Sequence, residues 1–273
     1  MKFSEMYYMC TIQCNQKCSK CSHWKKHDTA PRLNPELIVH AVKSLPTLND
    51  LTIVGGEPFL YKDEIMHIIK GIANTHVRTV IITNAFALTS EFVDAVKPYK
   101  IHFVFSIDTV DREFWKFVRG MDSFDIVMKN LEYAFKTLSP YQMSIQSVLA
   151  KETEPYIEGV KAFAERHGLY HGVQDFVSDG FEGDWTPLEK KAVIIPSGSQ
   201  QCFAAERNIS IMQNGDVFTC FQQSWIKNCE KPLGNLIENS IEEIISSDYM
   251  AFVQSQMKKC NKSCKVLKCN IQR

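Results

Sequence analysis

The chain has 273 residues, 45% of them hydrophobic, with 31 Lys or Arg balancing 31 Asp or Glu. That apolar content argues for a folded core over disorder, and a zero formal charge leaves no whole-chain basic footprint for nucleic acid. No apolar run approaches the about 20 residues of a spanning helix, and the opening MKFSEMYYMC lacks a cleavable signal pattern. The expectation is a cytoplasmic protein with no membrane partner.

In chain order, a first strand is expected over residues 6–12, followed by a cysteine-dense loop. Asn34 and Pro35 then make a helix start, a capping side chain followed by proline at the first helical position. Leu37, Ile38, Ala41, Val42 and Leu45 recur behind it on one face. Further strands are expected at LTIV (51–54), VRTVIIT (77–83), IHFVFSID (101–108), MSIQSVLA (143–150) and HGVQDFV (171–177). Ile65, Ile68, Ile69 and Ile72 mark one helix between them, and Ile126, Val127, Leu131, Ala134, Phe135 and Leu138 another. A further helix is expected from about Thr153 to His167. Six strands alternating with five helical segments argue for a parallel α/β sheet, either doubly wound or part of a (β/α) barrel. In both, chemistry gathers at the C-terminal ends of the strands, where the first cysteine loop lies.

From 178 to 200 the glycines, prolines and weak periodicity read as a connection. NISIMQNGDVFTC after it reads as a β-hairpin with a type I′ turn at Asn214-Gly215. A helix near 240–257 follows, and then a cysteine-rich tail.

The ten cysteines fall at 10, 14, 18 and 21 and again at 202, 220, 229, 260, 264 and 269. In a reducing compartment such clusters bind metal more often than they form disulfides, so two metal sites are expected. Cys14, Cys18 and Cys21 form CxxxCxxC on one loop, while Cys10 lies inside the first strand and reads as a small buried hydrophobe. A structural zinc needs four ligands in a closed tetrahedron. Three thiolates on a cubane iron–sulfur cluster leave one iron open, as catalytic metal sites do. The zinc knuckle is the competing reading.

CxxxCxxC after a first strand, followed by GGEPF (55–59) directly after the second, resembles the radical S-adenosylmethionine (AdoMet) enzymes. TNA (83–85), SID (106–108) and FVRG (117–120) are similar to that family's later motifs, in the same order, over roughly the first two-thirds of the chain. The resemblance implies a partial (β/α)6 TIM barrel over 1–180. It implies a [4Fe-4S] cluster on Cys14, Cys18 and Cys21, with AdoMet chelated at its open iron. Gly55, Gly56, Glu57 and Pro58 would contact the methionine amino group, Arg119 its carboxylate, and Thr83, Asn84, Ser106 and Asp108 the rest of the cofactor. Gly55 and Gly56 suit such a place because they let a main chain approach a ligand closely. The residue before the third cysteine, usually aromatic in the family and placed against adenine, is Lys20 here, and Trp24 could supply a ring instead.

Cys202, twelve residues, Gly215, four residues and Cys220 are similar to the CX9–15GX4C opening of the auxiliary-cluster domains of that family. This implies a connection at 181–200 and a small α+β, twitch-like domain over 201–273. One auxiliary iron–sulfur cluster, of [4Fe-4S] type, is the expected count, on Cys202, Cys220, Cys260 and Cys264, with Cys269 the rival for a tail position and Cys229 left free. Four thiolates suit zinc as well, so a structural zinc remains open. The acid-free tail from Lys258 to Arg273 reads as charge compensation for that cluster, or as a solvated basic end or a weak nucleic-acid contact.

The implied activity is reductive cleavage of AdoMet to a 5′-deoxyadenosyl radical that abstracts hydrogen from substrate. A net oxidation or cross-link of a ribosomally made peptide is expected, with the auxiliary cluster as electron acceptor and flavodoxin or ferredoxin as donor. The first 30 residues offer no added leader-binding domain, which weighs against a peptide. Dehydrogenation of a small sugar-like or amino-alcohol metabolite is the alternative, and Gln146, Gln174 and Asp175 are candidates for lining the barrel. A non-enzymatic electron-transfer or scaffold protein would explain the cysteines but not GGEPF.

Overall fold

The computed structural model describes residues 2–26, 31–176, 185–188 and 204–259, the Trp225 side chain aside. One nine-stranded sheet organises them. Strands β1 (Glu5–Thr11), β2 (Asp50–Gly55), β3 (Arg78–Thr83), β4 (Ile101–Ser106), β5 (Met143–Leu149) and β6 (Tyr170–Asp175) pair in sequence order, every pair parallel. Helices α1 (Pro35–Lys43), α2 (Lys62–Gly71), α3 (Ser90–Val96), α4 (Arg112–Arg119), α5 (Phe124–Thr137) and α6 (Ile157–Arg166) make the crossovers. This is the expected partial (β/α)6 barrel.

Local chemistry sets the boundaries. The Asn34 side chain accepts from the Glu36 N–H, with Pro35 at the first helical position. The Asp111 side chain caps α4 by accepting from the Phe114 N–H at 2.7 Å, and Gly120 ends that helix in the left-handed region at φ +64°. Strand β4 shows the alternation that builds the barrel wall: Ile101, Phe103 and Phe105 are fully buried, while His102, Val104 and Ser106 are half-buried.

The C-terminal part grows from the same sheet. After α7 (Ala204–Arg207), β7 (Asn208–Ile211) pairs parallel with β1, and β8 (Asp216–Phe218) and β9 (Gly234–Asn235) continue antiparallel. The hairpin falls where expected, but its turn is not type I′, which needs positive φ at both central residues. Gly215 has φ +91° and Asn214 is not left-handed. Met212 and Asp216 close a three-residue loop, their backbone hydrogen bond 2.8 Å long. The single helix expected over 240–257 is two, α8 (Ile241–Ile245) and α9 (Asp248–Met257). Ser247 breaks it by accepting from the Met250 N–H and starting a new helix. Apolar residues of this part, Ile209, Val217, Ile244 and Met250 among them, join one continuous core with Met6 and Tyr8 of β1 and Ile38 of α1. Among the described residues no helix is long and apolar enough to cross a membrane.

Candidate active site

The cysteine loop leaves the C-terminal end of β1 and is held by three separate elements. The turn after β2 donates Gly56 N–H to the Thr11 carbonyl and Glu57 N–H to the Gln13 carbonyl, both at 2.8 Å. A Cβ on Gly55 would collide with the Thr11 carbonyl, and one on Gly56 with the Gln13 carbonyl. The glycines therefore serve a close approach, as expected, but the chain approached is the cysteine loop itself. The C-terminal end of α4 is the second support: Lys17 N–H donates to the Arg119 carbonyl and Ser19 N–H to the Val118 carbonyl, both at 3.1 Å. The third comes from the C-terminal hairpin, where the buried Gln213 side chain accepts from the Ile12 N–H at 2.7 Å. No sequence signal pointed to Gln213.

Hydrogen-bond donors gather on the three sulfurs. Cys14 Sγ accepts from the Gln16 N–H at 3.5 Å and the Asn84 amide at 3.7 Å, and Cys21 Sγ from the His23 N–H at 3.5 Å. Cys18 Sγ accepts from Arg119 Nη1 at 3.8 Å. Burial pushes the Cys14 thiol up to about 12 and raises that of Cys21. Among the described residues no three Cys, His, Asp or Glu side chains stand close enough to hold a single metal ion. Three thiols on one loop, each with an N–H donor to its sulfur, suit a cluster that keeps one iron open. Cys10 lies at the register irregularity between β1 and β2, is 2% exposed, and is also pushed up to about 12 by burial. It stands apart from the loop sulfurs as a core residue.

Glu57 is fully buried and works as a knot. Its carboxylate accepts from Thr83 Oγ1 at 2.7 Å, Asn84 N–H at 2.9 Å and Phe59 N–H at 3.1 Å, tying the turn after β2 to the end of β3. Burial raises its pKa, outweighing these hydrogen bonds. Pro58 is buried at the start of a short 3-10 turn over Pro58–Tyr61. Asn84 then reaches Cys14 and Asn15, while Asn130 of α5 secures the following turn by donating to the Ala85 carbonyl at 2.9 Å.

Asp108 and Arg119 meet under the loop. Asp108 is wholly buried, accepts from Val148 N–H at 2.9 Å, and ion-pairs with Lys20 at 2.5 Å and Arg119 at 3.3 Å. Burial alone would raise its carboxyl pKa, but Lys20 and Arg119 outweigh it and hold the group below the usual range. The Arg119 fork, expected on a methionine carboxylate, is turned to Asp108, Cys18 and the Ser106 carbonyl, with Nε buried and without a partner among the described residues. Lys20 is thus a partner of Asp108, and its ammonium lies 5.1 Å from the centre of the Trp185 ring. Trp24 donates from its indole to the Cys18 carbonyl at 3.2 Å.

Gln146 pairs in register with Ser106 and sits on its half-buried face; Gln174 follows that alternation and Asp175 the opposite one. Cys220 and Cys229 are both buried in the C-terminal part. Cys202, Cys260, Cys264 and Cys269 lie outside the described residues, as does the basic tail beyond Lys259; Lys258, at its start, pairs with Glu206 at 2.8 Å.

A partial (β/α)6 barrel whose first strand ends in CxxxCxxC, braced by a glycine turn, defines a cluster-bearing barrel. The model of the radical SAM superfamily matches residues 8–164, and that of an iron–sulfur cluster-binding domain, SPASM, matches 202–270. The chain belongs to the radical SAM superfamily. The two domains imply a [4Fe-4S] cluster, AdoMet and an auxiliary iron–sulfur cluster. A probable GTP 3',8-cyclase of Pyrococcus abyssi is 30% identical over 138 residues, covering 50% of this chain and 44% of the relative. The GTP 3',8-cyclase of Haemophilus influenzae (strain 86-028NP) is 26% identical over 175 residues, covering 58% and 51%. The chain spans about half the length of these curated relatives. Among solved structures, Streptococcus suis SuiB bound to S-adenosylmethionine aligns at TM-score 0.74 and 17% identity, over 93% of this chain and 68% of SuiB. SuiB bound to precursor peptide SuiA aligns at 0.72 and 15%, over 93% and 67%.

Proposed function

We propose that this chain modifies a residue of a ribosomally made peptide, by a net oxidation or cross-link in which the auxiliary cluster accepts the leftover electron. The observation that carries the reading is the shared sheet. The hairpin leading to Cys220 is bonded to β1, and Gln213 in its turn grips the root of the cysteine loop, so Cys220 and the first cysteine loop hang from one sheet. SuiB, solved with a precursor peptide, follows the same course over most of this chain.

When bound and reduced, the first cluster supplies the electron that splits AdoMet and yields a 5′-deoxyadenosyl radical for hydrogen abstraction. Cys14, Cys18 and Cys21 would hold three of its irons. Gly55, Gly56, Glu57 and Pro58, with Thr83, Asn84 and Ser106, shape the cofactor side of the loop; Asp108 and Arg119 brace it from below. Cys202, Cys220, Cys260 and Cys264 would hold the auxiliary cluster, with Cys269 as the rival ligand. An acidic one-electron carrier such as flavodoxin or ferredoxin suits the exposed Lys17, Lys25 and Lys26 around Trp24.

The test is 5′-deoxyadenosine formation by the anaerobically reconstituted, dithionite-reduced protein, supplied with peptide-sized or metabolite-sized fractions of a cell extract. Turnover stimulated by the peptide-sized fraction, abolished by protease treatment and absent in Cys18→Ala, is expected. Stimulation confined to the protease-resistant, metabolite-sized fraction would overturn the peptide assignment.

A further inference from the structure

Lys20 directly precedes Cys21, and its ammonium sits 2.5 Å from a carboxylate that solvent does not reach. On the other side of that carboxylate lies the Arg119 guanidinium, itself 2% exposed, whose Nη1 donates to Cys18 Sγ at 3.8 Å. The other donors described on the three loop sulfurs are neutral: two backbone N–H groups and the Asn84 amide. Arg119 is the charged one.

Lys20, Asp108 and Arg119 together carry one net positive charge. A buried ion cluster is weak evidence for stability, since well-packed apolar side chains commonly replace one at no loss. Beside a redox ligand the same charges act at short range through a medium that screens them poorly. Positive charge and N–H donors at a cluster sulfur favour the reduced, more negative state and raise the reduction potential.

We propose that Lys20, acting through Asp108, is a potential-setting residue for the cluster bound at Cys18. Asp108 aims Arg119 at the sulfur, and Lys20 cancels the carboxylate charge that would otherwise neutralise Arg119. The lysine at the position before the third cysteine is therefore a positioning and charge-balancing residue. This inference rests on the reading that Cys14, Cys18 and Cys21 hold the cluster.

The experiment is an EPR-monitored redox titration of the reconstituted full-length protein, following the signal that changes when AdoMet is added and thus reports the open-iron cluster. Lys20→Met keeps the aliphatic stem but leaves Asp108 and Arg119 as a neutral pair. Its equilibrium constant for accepting the electron should fall about tenfold, a midpoint lower by about 59 mV for one electron. Lys20→Arg should hold the wild-type midpoint. The double variant Lys20→Met with Asp108→Asn restores the single positive charge and should recover most of the shift, which a merely structural role would not produce. An unmoved midpoint in Lys20→Met, or a double variant as low as the single, overturns the proposal. If the iron-loaded wild type gives no AdoMet-responsive signal, the cluster assignment itself falls, an outcome distinct from an unmoved midpoint.

Discussion

At the residue scale, Asp108 shows how far spacing carries and where it stops. SID at the end of a strand marked Asp108 as a site residue, and FVRG marked Arg119. Their partners were illegible because contacts such as Lys20 with Asp108, 88 residues apart, exist only once the fold is closed. The same limit applies to Glu57, legible as part of GGEPF but not as the acceptor joining β2 to β3. The charge on Asp108 has a consequence for acid stability. Its folded pKa is depressed, so its contribution is present above the unfolded carboxyl value of about 3.9 and is lost as pH falls through the lower folded one. Asp108→Asn strands Lys20 and Arg119, and should cost about 3–5 kcal/mol near neutral pH in urea unfolding of the metal-free protein. That gap should close as the titration proceeds below about pH 4. A gap of constant size across this range would show that the carboxylate charge contributes nothing.

At the element scale, the six barrel strands were legible because β-branched runs between turn residues leave little choice of structure, and each came within two residues of its place. Helices α3 and α4 were not. Ser90–Val96 is two turns long, too short for a periodic signal, and α4 is recognised by its Asp111 cap and Gly120 stop more than by its apolar face. The hairpin at Asn214-Gly215 was legible as a hairpin, while the turn class depends on one extra residue that composition does not reveal. Gly215 is the residue of this turn whose backbone conformation favours glycine. Its φ of +91° is rarely adopted by other residues, and an added Cβ would stand 2.6 Å from Asn235 Oδ1. Gly215→Ala should therefore destabilise the protein by about 1–3 kcal/mol. Thermal unfolding measures the loss, and retention of auxiliary-cluster iron shows whether the turn also matters for metal. An unchanged melting temperature would mean that the turn relaxes without strain.

At the scale of the whole molecule, the sequence suggested a barrel, a connection and a separate small domain, and in the folded chain the last of these shares the barrel's sheet. Parallel pairing of β7 with β1 gives no signal in either strand alone, because it joins segments about 200 residues apart in the chain. The consequence is cooperative. Ile209, Ile211, Val217, Leu236, Ile241, Ile244, Met250 and Val253 are buried in the same core as β1 and α1. At about 1.5–3 kcal/mol for each large side chain kept from water, a substantial part of which covers the barrel, this burial is comparable with a typical net stability of about 5–15 kcal/mol. A chain ending at residue 203 would also leave β1 as an exposed edge, beside the apolar surface of α1, a template for association. Such a truncated barrel should fail to fold as a monomer, running as aggregate on size exclusion and binding a hydrophobic dye, while the full chain unfolds in one transition. A monomeric, cooperatively melting fragment would instead show that the six-stranded barrel is self-sufficient, and that the shared sheet serves to align the two cluster regions without holding the barrel together.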